Sequence, residues 1–131
     1  MIQAGRAKAR TLIQTLYLMR VNAMDDLTPE ENQKQGKAVY EIGVWCQASE
    51  HHVGKFEDEY HKEEFEKLII KSKNLLAGLS DPFYAGAGRH AIINVLVRAG
   101  LINEARYLLA EVKDTFIREK ILEDNPSLPK V

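Results

Sequence analysis

The chain has 131 residues, of which 45% are hydrophobic and 28% charged, the ordinary composition of a globular domain. Its 18 Lys and Arg residues against 19 Asp and Glu residues give a formal charge of -1, without the basic excess of nucleic-acid or anionic-membrane binders. A single cysteine, Cys46, suits a reducing compartment, and no apolar run is long enough for a membrane span or a secretory signal. We therefore expect one cytoplasmic domain over residues 1–125 and an extended tail over residues 126–131.

The N-terminal part opens with an amphipathic pattern over residues 2–24, which predicts a first helix. The start of a second helix follows, with Thr28 as the N-cap, Pro29 in the first helical position and Glu31 closing a capping box. The second helix is predicted to end between residues 49 and 52.

Glycines shape the second and third helices. Gly36 and Gly43 lie within the second helix and each costs roughly 1 kcal/mol relative to alanine, so we expect neighbouring elements to pack closely there. The third helix is predicted to begin near Gly54-Lys55 and to end at Ala77-Gly78-Leu79, with Gly78 as its terminator.

The fourth helix has strong signals at both ends. Asp81 is the predicted N-cap, with Pro82 in the first helical position. At the other end, Gly100 occupies the place where a helix needs a left-handed residue, and Leu101 can fold back on Leu96. These features predict a Schellman stop and the first turn of a helical hairpin.

Two shorter helices are predicted after this turn. Asn103 is the expected N-cap of one, with Ile102 and Tyr107 at the positions of a hydrophobic staple. Asp114 is the expected cap of the next, which ends at Asn125 before a proline. No segment alternates in the manner of a strand. The predicted fold is therefore all-α, an antiparallel bundle of five to six helices with a repeat-like helical hairpin in its C-terminal half.

The hairpin within residues 89–122 resembles the units of tetratricopeptide-like and related α-helical repeats. A small residue precedes Gly-Leu at the turn, Glu-Ala and an apolar pair follow, and an aspartate opens the next helix; these are Arg98-Ala99-Gly100-Leu101, Glu104-Ala105, Leu108-Leu109 and Asp114. The resemblance implies antiparallel helix pairs and a surface that binds proteins.

The segment from Ala85 to His90 is a candidate anion site. If a helix began near Gly88, its free N–H groups, the close approach allowed by Gly86 and Gly88, and the side chains of Arg89 and His90 could hold an anion. The alternative, which we favour, is that the two glycines let helices cross closely. No phosphate-loop or dinucleotide motif is present.

Four histidines are candidate metal ligands, three of them close together in the sequence. His51 and His52 could join His61, Glu50 and Cys46 if the second and third helices fold back on each other. Surface histidines near a helix end are the favoured interpretation, so we predict no metal and no cofactor.

The acidic stretch between residues 57 and 66 could imitate nucleic-acid phosphates or dock a basic partner. Interleaved lysines give favourable helical pairs such as Asp58 with Lys62 and Glu63 with Lys67. A solvated helix face is therefore the favoured interpretation.

Catalysis and DNA reading are both disfavoured. No serine lies in a nucleophile motif, and Cys46 next to Trp45 is expected to be buried and inert. The hairpin would present Glu104 and Glu111 to a DNA groove.

The preferred function is a non-enzymatic interaction module: an oligomer subunit, an adaptor or a small inhibitor that binds a protein or a second copy of the chain. Aromatic side chains dominate interfaces, and five are the predicted anchors: Tyr17, Trp45, Phe83, Tyr84 and Phe116. One alternative is a nucleic-acid-associated subunit using Arg6, Lys8, Arg10, Arg20, Arg89 and Arg98. A second alternative is an anion- or metal-dependent enzyme.

Overall fold

The structure is a computed structural model that describes residues 27–128. The chain divides into two compact units, Met1–Lys34 and Gln35–Val131. The predicted first helix over residues 2–24 lies outside the described residues. One domain over residues 1–125 stays a prediction, because most of the first unit lies outside them too.

Five helices make up the described part of the chain, and no strand occurs between residues 27 and 128. In chain order they are α1 (Pro29–Glu50), α2 (Glu59–Ala77), α3 (Pro82–Arg98), α4 (Ile102–Ala110) and α5 (Thr115–Asp124). The helices pack against one another, so the predicted all-α bundle is confirmed.

Side chains cap three of the helix starts at the predicted positions. At α1 the Glu31 N–H donates to Thr28 Oγ1 at 3.1 Å and the Thr28 N–H donates to Glu31 Oε1 at 3.2 Å, which is a reciprocal capping box. Asp81 accepts from two N–H groups in the first turn of α3, and Asp114 accepts from the Ile117 N–H of α5. These three local predictions are confirmed.

Two predicted helix starts are wrong. α2 begins at Glu59, four to five residues later than expected, because the Asp58 carboxylate accepts from the Tyr60 N–H and fixes the start there. α4 begins at Ile102, and its N-cap is Leu101, which makes no side-chain capping bond. Asn103 therefore lies inside the helix and is not its cap.

The turn after α3 explains the early start of α4. Gly100 has a φ of 81°, and the Leu101 N–H donates to the Leu96 carbonyl oxygen at 2.8 Å while the Gly100 N–H donates to that of Val97 at 3.0 Å. This is the predicted Schellman stop. It leaves no spare residue before α4, so the preceding leucine occupies the N-cap position. The predicted staple partner Tyr107 points to solvent and is 78% exposed.

Helix α3 is the centre of the second unit. Its residues from Phe83 to Gly88 are all buried, as are five of the ten that follow. A Cβ atom built on Gly86 would lie 3.3 Å from the Ile117 side chain of α5. A Cβ atom on Gly88 would lie 3.1 Å from Ile42 of α1 and 3.2 Å from Leu76 of α2. Because the two glycines have no side chains, α1, α2 and α5 can approach α3 closely.

Polar side chains also join the helices. The Gln35 amide donates to Ser80 Oγ at 3.0 Å and accepts from the Asp81 N–H at 3.1 Å, which ties α1 to the start of α3. Ion pairs link Lys73 of α2 with Glu104 of α4, and Arg98 of α3 with Glu50 of α1. These contacts fix the register of the helices more than they add stability, since exposed pairs contribute about 0–1 kcal/mol.

The packed part of the chain continues past the predicted end of the domain. α5 ends at Asp124 as predicted, but Pro126–Leu128 form a turn instead of an extended tail. Leu128 is buried, and its carbonyl oxygen accepts from Arg106 Nε at 3.3 Å. An apolar side chain after the proline therefore joins the core, and only residues 129–131 of the predicted tail lie outside the described residues.

Gly88→Ala is expected to lower the free energy of unfolding by about 1–3 kcal/mol, because the added methyl group meets side chains of both α1 and α2. Gly43→Ala is the matched control: a Cβ there has nothing within 4 Å, which also shows that the close packing expected at Gly43 is wrong. That control should raise stability by up to about 1 kcal/mol through helix propensity. Urea denaturation followed by circular dichroism measures both, and equal effects would contradict the packing argument.

Candidate functional site

The predicted anion site does not have the backbone it needs. α3 begins at Pro82, as the predicted Asp81 cap requires, so the helix start near Gly88 on which the anion site depends does not occur. The N–H groups of Gly86 and Gly88 lie inside the helix. Both glycines are buried against side chains of other helices. The close-crossing interpretation of these glycines agrees with the geometry.

The two side chains of that candidate site point to separate partners. Arg89 Nη2 lies 3.2 Å from Glu111 Oε2, and its Nε is buried without a hydrogen-bond partner. His90 Nε2 lies 2.7 Å from Asp124 Oδ2. The structure therefore does not bring Arg89 and His90 together around one ligand position.

A polar network surrounds the buried His90 side chain and joins α3 to the end of α5, with the Asp124 carboxylate half-exposed. Asn94 Nδ2 donates to Asp124 Oδ2 at 3.2 Å, and Asn125 Nδ2 donates to Asn94 Oδ1 at 2.7 Å and to the Ile121 carbonyl oxygen at 2.9 Å. The hydrogen bond from His90 lowers the pKa of the Asp124 carboxyl group from its ordinary value of 3.8, with help from Asn94 and the charge of Arg98. This network binds α3 to the end of α5.

The second cluster contains three histidines at the end of α1 and the start of α2. His52 Nδ1 and His61 Nδ1 lie 2.8 Å apart, and the His51 ring centroid is 5.3 Å from that of His52 and 6.4 Å from that of His61. Burial lowers the pKa of His52, and the neighbouring His61 and His51 lower it further. The metal hypothesis predicts that His51, His52 and His61 lie close together, and this part of it agrees with the structure.

The other two candidate metal ligands, Glu50 and Cys46, have partners outside this cluster. Glu50 pairs with Arg98, and Cys46 lies beside Ser72 at 3.7 Å between sulfur and oxygen. Among residues 27–128, no group of three His, Cys, Asp or Glu side chains is arranged to hold a metal ion.

Cys46 is buried, as expected. Burial raises the pKa of its thiol to about 12, so the reactive thiolate is strongly disfavoured at neutral pH.

The acidic stretch makes different pairs from those predicted. Asp58 caps α2, and Lys67 pairs with Glu64 at 3.3 Å, one residue away from the expected Glu63. Most acidic side chains between residues 57 and 66 are exposed, which agrees with a solvated helix face.

The predicted aromatic anchors have very different surroundings. Phe83 and Tyr84 are buried in the core, so they cannot contact a partner in this fold. Trp45 is half-buried beneath the Lys71 ammonium group, 4.6 Å from its ring centroid, and Phe116 is 37% exposed. Tyr17 lies outside the described residues.

Sequence reasoning missed the most exposed large apolar side chains. They are Tyr40 and Val44 on α1, Tyr60 and Ile70 on α2, and Tyr107 on α4. The spacing of four residues between Tyr40 and Val44 could have indicated a shared helix face, but the buried stripe of α1 lies nearby in sequence and hides that pattern.

The comparisons with known proteins add no family to this picture. Neither the models of protein families, nor the curated proteins, nor the solved structures contain a match to the chain. Of the helices between residues 27 and 128, none has the length and apolar character needed to cross a membrane. The class that the fold defines is an all-α helical bundle.

Proposed function

We propose that the chain is a non-enzymatic helical interaction module, acting as an oligomer subunit, an adaptor or a small inhibitor of another protein. The observation that carries the proposal is the exposure of large apolar side chains on the outer helices of a bundle that already has a buried core. Aromatic side chains that stay largely exposed on a folded domain are typical anchors of protein interfaces.

The outer face of α1 is the surface that fits this role best. We define it by Lys37, Tyr40, Val44 and Ala48, which follow one another at helical spacing and are all exposed. Tyr40 is 56% exposed and Val44 is exposed beside it, with open space over Gly43. Three of the four side chains are uncharged, so a partner could cover them at little desolvation cost.

Both alternatives receive less support from the described residues. Arg89 and Arg98, two of the six basic residues that a nucleic-acid site would use, already pair with carboxylates. The other four lie outside the described residues. For an anion-dependent enzyme, Arg89 and His90 pair with different carboxylates. For a metal-dependent enzyme, three histidines cluster, but among residues 27–128 no group of three His, Cys, Asp or Glu side chains is arranged to hold a metal ion.

The likeness of the hairpin to tetratricopeptide-like repeats stays a proposal. It would add a protein-binding surface around Tyr107 on α4, and a cytoplasmic location remains part of the same hypothesis.

Light scattering tests the proposal in its self-associating form. We expect the native chain to show a mass above the 14.9 kDa of one copy, unchanged by nucleic acid and by moderate salt. The double variant Tyr40→Ser, Val44→Ser should return to the mass of one copy, whereas Tyr107→Ser, the matched exposed tyrosine, should not.

Two outcomes would contradict this expectation. A native chain that stays a single copy at every concentration rules out the oligomer subunit. A mass that rises only with nucleic acid at low salt would support the nucleic-acid alternative instead.

A further inference from the structure

A histidine pair joins the connection between α1 and α2 to the first turn of α2. His52 lies in the turn directly after α1, and His61 is the third residue of α2. Their Nδ1 atoms are 2.8 Å apart, which is a hydrogen-bond distance. Besides this pair, Phe56 of the connection packs on Phe65 of α2 with ring centroids 4.8 Å apart.

The chemistry of imidazole makes this contact depend on protons. A hydrogen bond between two Nδ1 atoms needs an N–H on one ring and a lone pair on the other. The pair can carry no charge or one positive charge and still satisfy this condition. When both rings are charged, both Nδ1 atoms carry a hydrogen, the acceptor is lost and two cations face each other.

The surroundings oppose the second charge. His52 is nearly fully buried, and its ring meets the edge of Tyr60 with centroids 6.1 Å apart. From the connection, His51 and Lys55 add positive charge nearby, while Glu64 of α2 is the carboxylate that favours a charged His52. On the α1 side, Glu50 already pairs with Arg98.

We propose that His52 and His61 form a proton-sensitive clasp that holds the connection of residues 51–58 onto α2 and opens it when both rings become charged. The connection has the backbone for local opening. Its own bonds are short turns, from the Lys55 N–H to the His52 carbonyl oxygen and from the Asp58 N–H to that of Lys55, with Gly54 at a φ of 84°. Opening exposes the buried face of Phe65 and leaves α3, α4 and α5 in place.

The direction with pH follows from His52. Its pKa in the closed state lies below the ordinary value of 6.5, so the open state binds more protons as the pH falls below 6.5. The closed state is therefore fully favoured above that pH and is lost progressively as the pH falls towards the lowered pKa of His52.

Amide hydrogen exchange, corrected for its intrinsic pH dependence, tests the clasp in buffer with a chelator. Between about pH 7.5 and about pH 5, we expect the protection of amides in residues 53–61 of the native chain to fall by roughly tenfold or more, with those of α4 unchanged. His61→Gln keeps a polar partner without a second charge, so it should flatten this response. His51→Gln, the adjacent exposed histidine outside the hydrogen bond, should retain it.

Three results would overturn the proposal: protection that does not change with pH in the native chain, an undiminished response in His61→Gln, or a response that disappears in His51→Gln. Side-chain nuclear magnetic resonance of the native chain adds a readout free of substitutions. His52 should take up its proton below its ordinary pKa of 6.5, in step with the loss of protection, and a proton uptake that leaves residues 53–61 protected would equally reject the clasp.

Discussion

Replacing Phe83 by alanine is expected to lower the free energy of unfolding by about 3–5 kcal/mol. Phe83 lies in the first turn of α3, is only 2% exposed and meets the edge of the Tyr84 ring with centroids 6.0 Å apart. Truncation removes a large apolar side chain from the helix against which α2, α4 and α5 pack, and the Asp81 cap holds the start of that helix. Urea denaturation followed by circular dichroism gives the loss.

Phe116→Ala is the matched control for this change. Phe116 is 37% exposed on α5, with the Lys120 ammonium group 5.7 Å from its ring centroid, so its truncation should cost about 1 kcal/mol or less. Both phenylalanines are predicted interface anchors from sequence. Similar losses for the two variants would contradict the assignment of Phe83 to the core and of Phe116 to the surface.

Most helix ends could be predicted because their signals are local. The Thr28–Glu31 box, the Asp81 and Asp114 caps and the Gly100 stop each involve groups within five residues of one another. Such bonds form wherever the helix forms, whatever packs on its side.

Tertiary packing decided the features that sequence reasoning missed. The string Ala85-Gly86-Ala87-Gly88 suits both an anion cradle and a close helix crossing. The choice between them depends on Ile42, Leu76 and Ile117, which lie far away along the chain. No local pattern contains that information, although an aspartate before Pro82 already places the start of α3 ahead of the glycines.

The same limit applies to the aromatic residues. Phe83-Tyr84 and Tyr40 have similar apolar character, yet the first two are buried and the third is in water. Which face of a helix a neighbour covers is set by the arrangement of all the helices. For the same reason the polar partner of His90 could not be predicted: Asp124 lies 34 residues away and reaches it only when α5 packs on α3.

The network around His90 gives the second large expected effect. Asp124→Ala should lower the free energy of unfolding near neutral pH by about 1–3 kcal/mol, because a buried imidazole N–H then loses its acceptor and Asn94 loses another. Glu123→Ala is the matched control: this neighbouring carboxylate pairs only with Lys120 on the exposed surface, at 3.1 Å, and should cost within about 0.5 kcal/mol.

The pH dependence of stability distinguishes the contribution of the Asp124 charge from that of packing its side chain. Because the pKa of Asp124 is lowered in the folded state, its stabilising effect is fully present above 3.8 and is lost as the pH falls from there through the lowered pKa. The difference in stability between the native chain and Asp124→Ala should therefore shrink only below about pH 4, as measured by urea midpoints at several pH values. A difference that stays constant into that range would show that packing of the side chain, and not its charge, holds α5 against α3.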